Sequence, residues 1–329
     1  MVLFGFANYD RLCATAPQSV CNVFVRQILA REPPSSYPAL LNVTDPTVDP
    51  AGFASSLARL PLGVRPTCSI PHVGNGHLGN IALIVVAGLS VFVVTGLAVL
   101  AARRSAAVAR TEMAVFFALY AVTCLLQLLD AGSILDQGSK AIVWITGVHT
   151  GVVVALFFAL LWNGLLSLQL FEDGRVGSLA PFAAGVVLLT VGASFIAIAL
   201  GFNSPTTFFA SSNPARLHSA WLFSLTIIWP AVAACAYLVI QLAVIVRVLQ
   251  ETRPIVLFLA AAGVFALAQG ARFALSHRIC TGTNAKVDGS FLATLLETLT
   301  VGIIFEAWRA ITEDSFADYS VAGSSQFPS

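Results

Sequence analysis

Long apolar runs constrain this chain more than any other feature. Seven stretches of roughly twenty mostly apolar residues recur along it, and each is long enough to cross a bilayer as a helix. They lie near Leu78–Ala102, Met113–Ala131, Ala141–Leu170, Leu179–Gly201, His218–Leu249, Ile255–Leu275 and Phe291–Trp308. In hydrocarbon every backbone N–H and C=O must be paired within the protein, which admits helices and closed barrels only. Runs of this length without strict alternation are helical. The expected fold is therefore an all-α polytopic membrane protein with seven transmembrane helices. The third and fifth runs exceed one crossing, so they tilt, bend or project. Pro230, inside the fifth, removes a ladder N–H and kinks it.

Composition agrees. Of 329 residues, 57% are hydrophobic and only 10% charged, against about 25% charged in soluble domains. A net charge of +1 and the lack of a basic, aromatic-studded patch leave no case for a nucleic-acid partner. The natural solvent is a lipid bilayer.

Positive charges set the expected orientation. With the N-terminus outside, the inner loops carry Arg103, Arg104, Arg110, Arg175, Arg247, Arg253 and Arg309. The outer loops carry only Lys140, Arg216, Arg278 and Lys286. The N-terminus is thus expected to be lumenal and the C-terminus cytosolic. Met1–Ala7 is too short, and lacks the positive flank, to be a cleaved signal peptide. The organisation that follows is a lumenal N-terminal tail (1–77), a seven-helix domain (78–310) and a short cytosolic tail (311–329).

Cysteine placement fits that topology. Of six cysteines, Cys124 and Cys235 fall inside runs and read as small apolar residues. Cys13, Cys21, Cys68 and Cys280 all fall on the lumenal side, where an even number suggests two disulfides. Three pairings are open. Cys13–Cys21 with Cys68–Cys280 is favoured, the first as a short loop turned by Pro17. Asn42-Val43-Thr44 is a glycosylation sequon in the same tail. Arg31 to Pro50, rich in Pro, Ser and Asp, reads as a loop without its own core.

Motif templates mostly fail. Gly74-Asn75-Gly76-His77-Leu78-Gly79 matches G-x-G-x-x-G, but a dinucleotide site needs a preceding strand and a soluble helix after it. Here a Pro-rich segment precedes and a membrane run follows. G-x-S-x-G, H-E-x-x-H and Walker A patterns are absent. The five His lack metal-ligand spacing, and the last run has no Lys for a retinal Schiff base. No cofactor is expected. Gly147 and Gly151 form a G-x-x-x-G that permits close helix packing.

Polar groups inside the runs are where chemistry could hide, because such groups are costly in a bilayer. They are Asp130, His149, Gln269, Arg272 and Glu297, all in the lumenal half. One expectation is a single ligand or proton site. The favoured one is a structural network in which Arg272 pairs with Asp130 or Glu297. On depth alone, Asp130 and Arg272 lie near the interface and reach water, and only Glu297 sits well inside.

Several segments together resemble the fungal chitin synthase export chaperones. They begin with Tyr9-Asp10-Arg11-Leu12-Cys13 and Cys21, then Pro66-Thr67-Cys68 ahead of Gly79-Asn80. Val108 to Glu112 and Asp130-Ala131-Gly132 follow. The most specific part is Asn163-Gly164 with Gln169 to Gly174. Ile279-Cys280, Gly282, Asn284, Asp288-Gly289, Phe291 to Leu295, Trp308 and Ile311-Thr312-Glu313-Asp314 complete it. The segment Ala30 to Leu62 is longer than the family pattern, and Glu297 replaces a neutral amide. The resemblance implies a seven-span endoplasmic reticulum membrane protein, not an enzyme. It would bind chitin synthase as its client and allow the synthase to leave that compartment, supporting cell-wall chitin synthesis. The acidic pairs Glu172-Asp173 and Glu313-Asp314 would face the cytosol, where client or vesicle coat components could meet them. Two other readings are a seven-span receptor or lipid transporter using the lumenal-half polar site, and an intramembrane enzyme using His149 and Glu297.

Overall fold

A computed structural model describes residues 6–16, 18–58, 60–71, 79–104, 109–132, 134–169, 176–204 and 216–324. Among the described residues, seven helices are long and apolar enough to cross a membrane: Ile81–Arg103, Arg110–Asp130, Lys140–Ser167, Val176–Phe202, Ala220–Leu249, Thr252–Gly282 and Gly289–Ile311. They are called the first to seventh spans below. The last helix runs on to Ser324, past the point where a tail was expected. The odd number of spans puts the two ends of the bundle on opposite faces.

The packing order is a ring with one outlier. The first span packs on the second and the seventh, the second on the third, and the sixth on the seventh. The third also carries the fifth on one side and the fourth on the other. The fourth approaches so closely because of two glycines. A Cβ at Gly147 would collide with Ile198, and one at Gly151 with Ser194 and the Thr190 carbonyl. Gly151→Leu is expected to cost about 2–3 kcal/mol through overpacking, read as lower thermal stability of the detergent-solubilised protein. Gly192→Leu, at a position where an added Cβ meets nothing, should leave stability unchanged. Equal behaviour of the two would refute the packing role.

Helix starts differ between the two faces. Each span that begins on the N-terminal face carries a side-chain N-cap. Asn80 Oδ1 accepts from Leu83 N at 3.1 Å, Ser139 Oγ from Ile142 N at 3.3 Å, Ser219 Oγ from Leu222 N at 3.4 Å and Asp288 Oδ1 from Phe291 N at 3.3 Å. The second and sixth spans, which start on the other face, have no side-chain cap. The reason is cover. Asn80, Ser219 and Asp288 are buried, so the first N–H groups cannot turn to water and need internal acceptors.

That cover is the N-terminal segment. It forms α1 (Asp10–Thr15), α2 (Cys21–Arg31), α3 (Tyr37–Leu41) and α4 (Pro50–Ala58). Helix α2 lies against the third and fourth spans and buries Val23, Phe24, Val25 and Ile28. An antiparallel bridge joins the chain start to the entry of the fifth span, with Tyr9 N donating to the Leu217 carbonyl and Ser219 N to that of Ala7, each at 3.0 Å. The Tyr9 ring packs on Phe24 and Phe223, and its hydroxyl meets Thr226 Oγ1 at 2.7 Å. Burial pushes the Tyr9 phenol above its ordinary pKa, partly offset by Thr226. Arg31 to Pro50, expected to be a coreless loop, instead gives Tyr37, Leu41 and Val43 to this buried cluster. The Tyr37 hydroxyl donates to the Leu29 carbonyl at 2.9 Å.

Among the described residues, π-helical turns interrupt the fifth span at Ser224–Ile228 and the sixth at Ala271–Leu275, and a third, Ile245–Leu249, ends the fifth. The first precedes Pro230, whose absent N–H leaves the Thr226 carbonyl without its helical donor and widens the turn.

Candidate functional site

The five intramembrane polar residues form two groups. Asp130 ends the second span and His149 lies in the third, with Nδ1 at 2.8 Å from Asp130 Oδ2. Helix α2 seals this pair from above. Ser19 Oγ lies 3.4 Å from the same ring nitrogen. Asn22 Nδ2 donates to the Asp130 carbonyl at 3.3 Å and to Thr146 Oγ1 at 3.4 Å. Asp130 is 0% exposed. The expectation that it reaches water is therefore wrong, because depth along a span takes no account of a helix laid across its end.

The second group joins the sixth and seventh spans. Arg272 Nη2 donates to Glu297 Oε2 at 2.7 Å, and Gln269 Nε2 to Oε1 at 3.0 Å. Arg272 thus pairs with Glu297 rather than Asp130. The side chains of Arg272 and Glu297 keep 21% and 18% of their exposure. Glu297 is therefore the more accessible carboxylate, the reverse of the depth-based reading, because it borders a cavity.

That cavity has a volume of about 350 Å³. His149, Gln269, Arg272 and Glu297 line it, together with Gln18, Ser19, Thr123, Gln127, Thr150 and Thr226. An apolar cavity of about 410 Å³ adjoins it, walled by Phe116, Leu160, Ala234, Phe258, Ala261 and Ile304, with Gln269 and Glu297 common to both. Asp130 is not among the lining residues and connects through His149.

Sequence reading missed a polar ladder beside Glu297. Gln127 Nε2 donates to Thr294 Oγ1 at 2.9 Å. Thr298 Oγ1 meets Ser90 Oγ at 2.8 Å and the Tyr120 hydroxyl at 3.1 Å. Thr294 and Thr298, one turn apart in an apolar run, were the available signal. The buried Glu112, near the opposite face, also went unremarked as an intramembrane carboxylate. Ser178 Oγ approaches its Oε1 at 3.5 Å.

Cys13 is joined to Cys21 and Cys68 to Cys280, with Cα atoms 5.7 and 6.1 Å apart. Asn42 is exposed and left-handed at the end of α3. Glu172, Asp173 and Gly74–Leu78 of the glycine motif lie outside the described residues. Glu313 and Asp314 continue the last helix. Among the described residues, no three His, Cys, Asp or Glu side chains gather as metal ligands would. In one group opposite charges are matched, Arg272 with Glu297, and in the other Asp130 is hydrogen-bonded to His149. Such an arrangement locks helices together and presents donors to a partly polar cavity.

Over residues 5–322 the chain matches the family described as "Chitin synthase export chaperone". It is 26% identical over 330 residues to the chitin synthase export chaperone of Fusarium oxysporum f. sp. lycopersici, covering 96% of this chain and 85% of the relative. The Kluyveromyces lactis protein of the same name is 24% identical over 324 residues, covering 97% and 95%. That of Coccidioides immitis is 30% identical over 216 residues, covering 65% and 62%. No solved structure matches.

Proposed function

The chain belongs to the chitin synthase export chaperone family, and from that membership we propose that it binds newly made chitin synthase in the endoplasmic reticulum membrane and permits its exit to the cell surface. The observation that carries this is the family match over nearly the whole length. The bundle suits a stoichiometric binder. Its lipid-facing surface is apolar and continuous, as at Val187, Leu188, Val191 and Phe195 of the fourth span. Helix-to-helix contact within the bilayer is driven by packing and by small and polar side chains, so a client span can dock without any energy-coupled cycle.

In this reading the helical cap, its two disulfides and Asn42 are lumenal, where an oxidising environment favours disulfide bonds. Glu172-Asp173 and Glu313-Asp314 face the cytosol and meet the client or coat components. The test is the location of tagged chitin synthases in cells lacking this protein. One synthase is expected to stay in the endoplasmic reticulum while unrelated surface proteins travel normally. Normal arrival of every synthase would refute the export role.

A further inference from the structure

We propose that the paired cavities inside the ring form a binding site for one uncharged, oxygen-headed amphiphile of the bilayer, a glyceride-like lipid, entering between the fifth and sixth spans. The export role is not a premise of this proposal.

The space has a cause in the sequence. The fifth and sixth spans are joined by the two-residue turn Gln250-Glu251, which makes them antiparallel neighbours, yet they pack little against each other. Where they face the apolar compartment many side chains are short, Ala231 and Ala234 on the fifth and Ala261, Ala262 and Ala266 on the sixth, set among the larger Tyr237, Leu238, Phe258 and Phe265. Small residues in a bilayer usually bring helices together. Here the fifth span leans on the third and the sixth on the seventh, so the seam between them is loosely packed, bridged where the Tyr237 and Phe258 rings meet at 5.9 Å. The two compartments, about 350 and 410 Å³, meet at Phe157, Phe265, Gln269 and Glu297. Each lies within the size range of small-molecule sites.

Polarity along the slot gives the ligand its direction. The half nearer the N-terminal face carries polar groups among apolar ones, and the other is almost wholly apolar. Two π-helical turns border the polar half, one presenting Thr226 and Ile227, the other Arg272. Such turns are common at functional sites. Arg272 carries five N–H donors and Gln269 two; each gives one to Glu297, and both residues line the polar half. The remaining donors call for a head that offers acceptor oxygens. It must also be uncharged. A carboxylate or phosphate would meet Glu297, and a cation would meet Arg272, while those two already neutralise each other at 2.7 Å. A client helix, about 10 Å across, is too wide for compartments of about 350 and 410 Å³.

The test uses the full chain, purified and reconstituted in phosphatidylcholine vesicles containing a diacylglycerol with a diazirine in its acyl chain and an alkyne tag. Photolabel is expected on peptides of the sixth and seventh spans that line the slot, and excess unlabelled diacylglycerol should compete it. Ala234→Phe with Ala262→Phe, which fills the apolar half, should reduce labelling at least fivefold. Val239→Phe, at a lipid-facing position, should not. Gln18→Leu, outside the spans, should weaken competition severalfold, and it keeps the test decisive if the filled variant fails to fold. Label spread over outward-facing residues and insensitive to filling would overturn the proposal in favour of ordinary boundary lipid. Competition by a synthetic chitin synthase span, but not by diacylglycerol, would overturn it in favour of a helix-binding groove. All readouts are made without chitin synthase export, so their failure leaves that role untouched.

Discussion

Replacing Cys280 with Ser is expected to lower stability more than replacing Cys21 does. The Cys68–Cys280 bond spans 212 residues of chain and Cys13–Cys21 only 8. In the chain-entropy model a cross-link restrains the unfolded state in proportion to the logarithm of the loop, giving at most about 5 kcal/mol for the long loop and about 2.5 for the short one. Spans that stay inserted already restrict the unfolded chain, which makes both figures upper bounds. The long bond also sits at a joint. Next to Cys68, Thr67 donates its N–H to the Ala14 carbonyl at 2.9 Å, and its hydroxyl meets His277 Nδ1 at 3.1 Å. Close by, Asn80 Nδ2 donates to Asp288 Oδ1 at 3.1 Å, linking the caps of the first and seventh spans. Losing the bond therefore loosens cap, first span and seventh span together. Thermal unfolding in detergent under non-reducing conditions measures it. A Cys280→Ser variant as stable as the parent, or less affected than Cys21→Ser, would refute the ranking.

Glu297→Ala carries the second large effect. It leaves Arg272 with a full charge and Gln269 with a free amide inside the bundle. Removing one partner of a buried ion pair costs about 3–5 kcal/mol. The residual exposure of about one-fifth on each side chain admits some solvent and brings the expected loss to about 2–3 kcal/mol. Glu297→Gln retains one acceptor and should lose less. Replacing Arg272 and Glu297 together with Met should recover most of the stability, because no unpaired charge remains. A double variant no better than Glu297→Ala would mean that the pair is not what the single change disrupts.

The spans were legible because hydrophobic length is written in one dimension. The first, read at Leu78–Ala102, runs Ile81–Arg103, and the third, read from Ala141, begins at Lys140. The N-terminal helices were not legible. They are short and broken by Pro33, Pro34 and Pro38, and their burial depends on Leu217, Leu222 and Phe223, some two hundred positions away. The polar residues were found, but their partners were not. Depth along a span placed Asp130 near water and Glu297 inside. Burial is instead decided by what lies across each side chain, Asn22 and Ser19 for one and a cavity for the other. Thr294 and Thr298 were passed over because a threonine pair hydrogen-bonded back into its own helix looks ordinary until the helix opposite is known.

The bridge between Ala7–Tyr9 and Leu217–Ser219 has a meaning in time as well as in space. Synthesis runs from the N-terminus, so Ala7–Tyr9 wait for the fifth span before their docking edge exists. Cys68 waits longer still, until the end of the sixth span delivers Cys280. The cap closes only over a nearly complete bundle. Its closure is a certificate of assembly, visible from one face of the membrane, that a half-made copy cannot present.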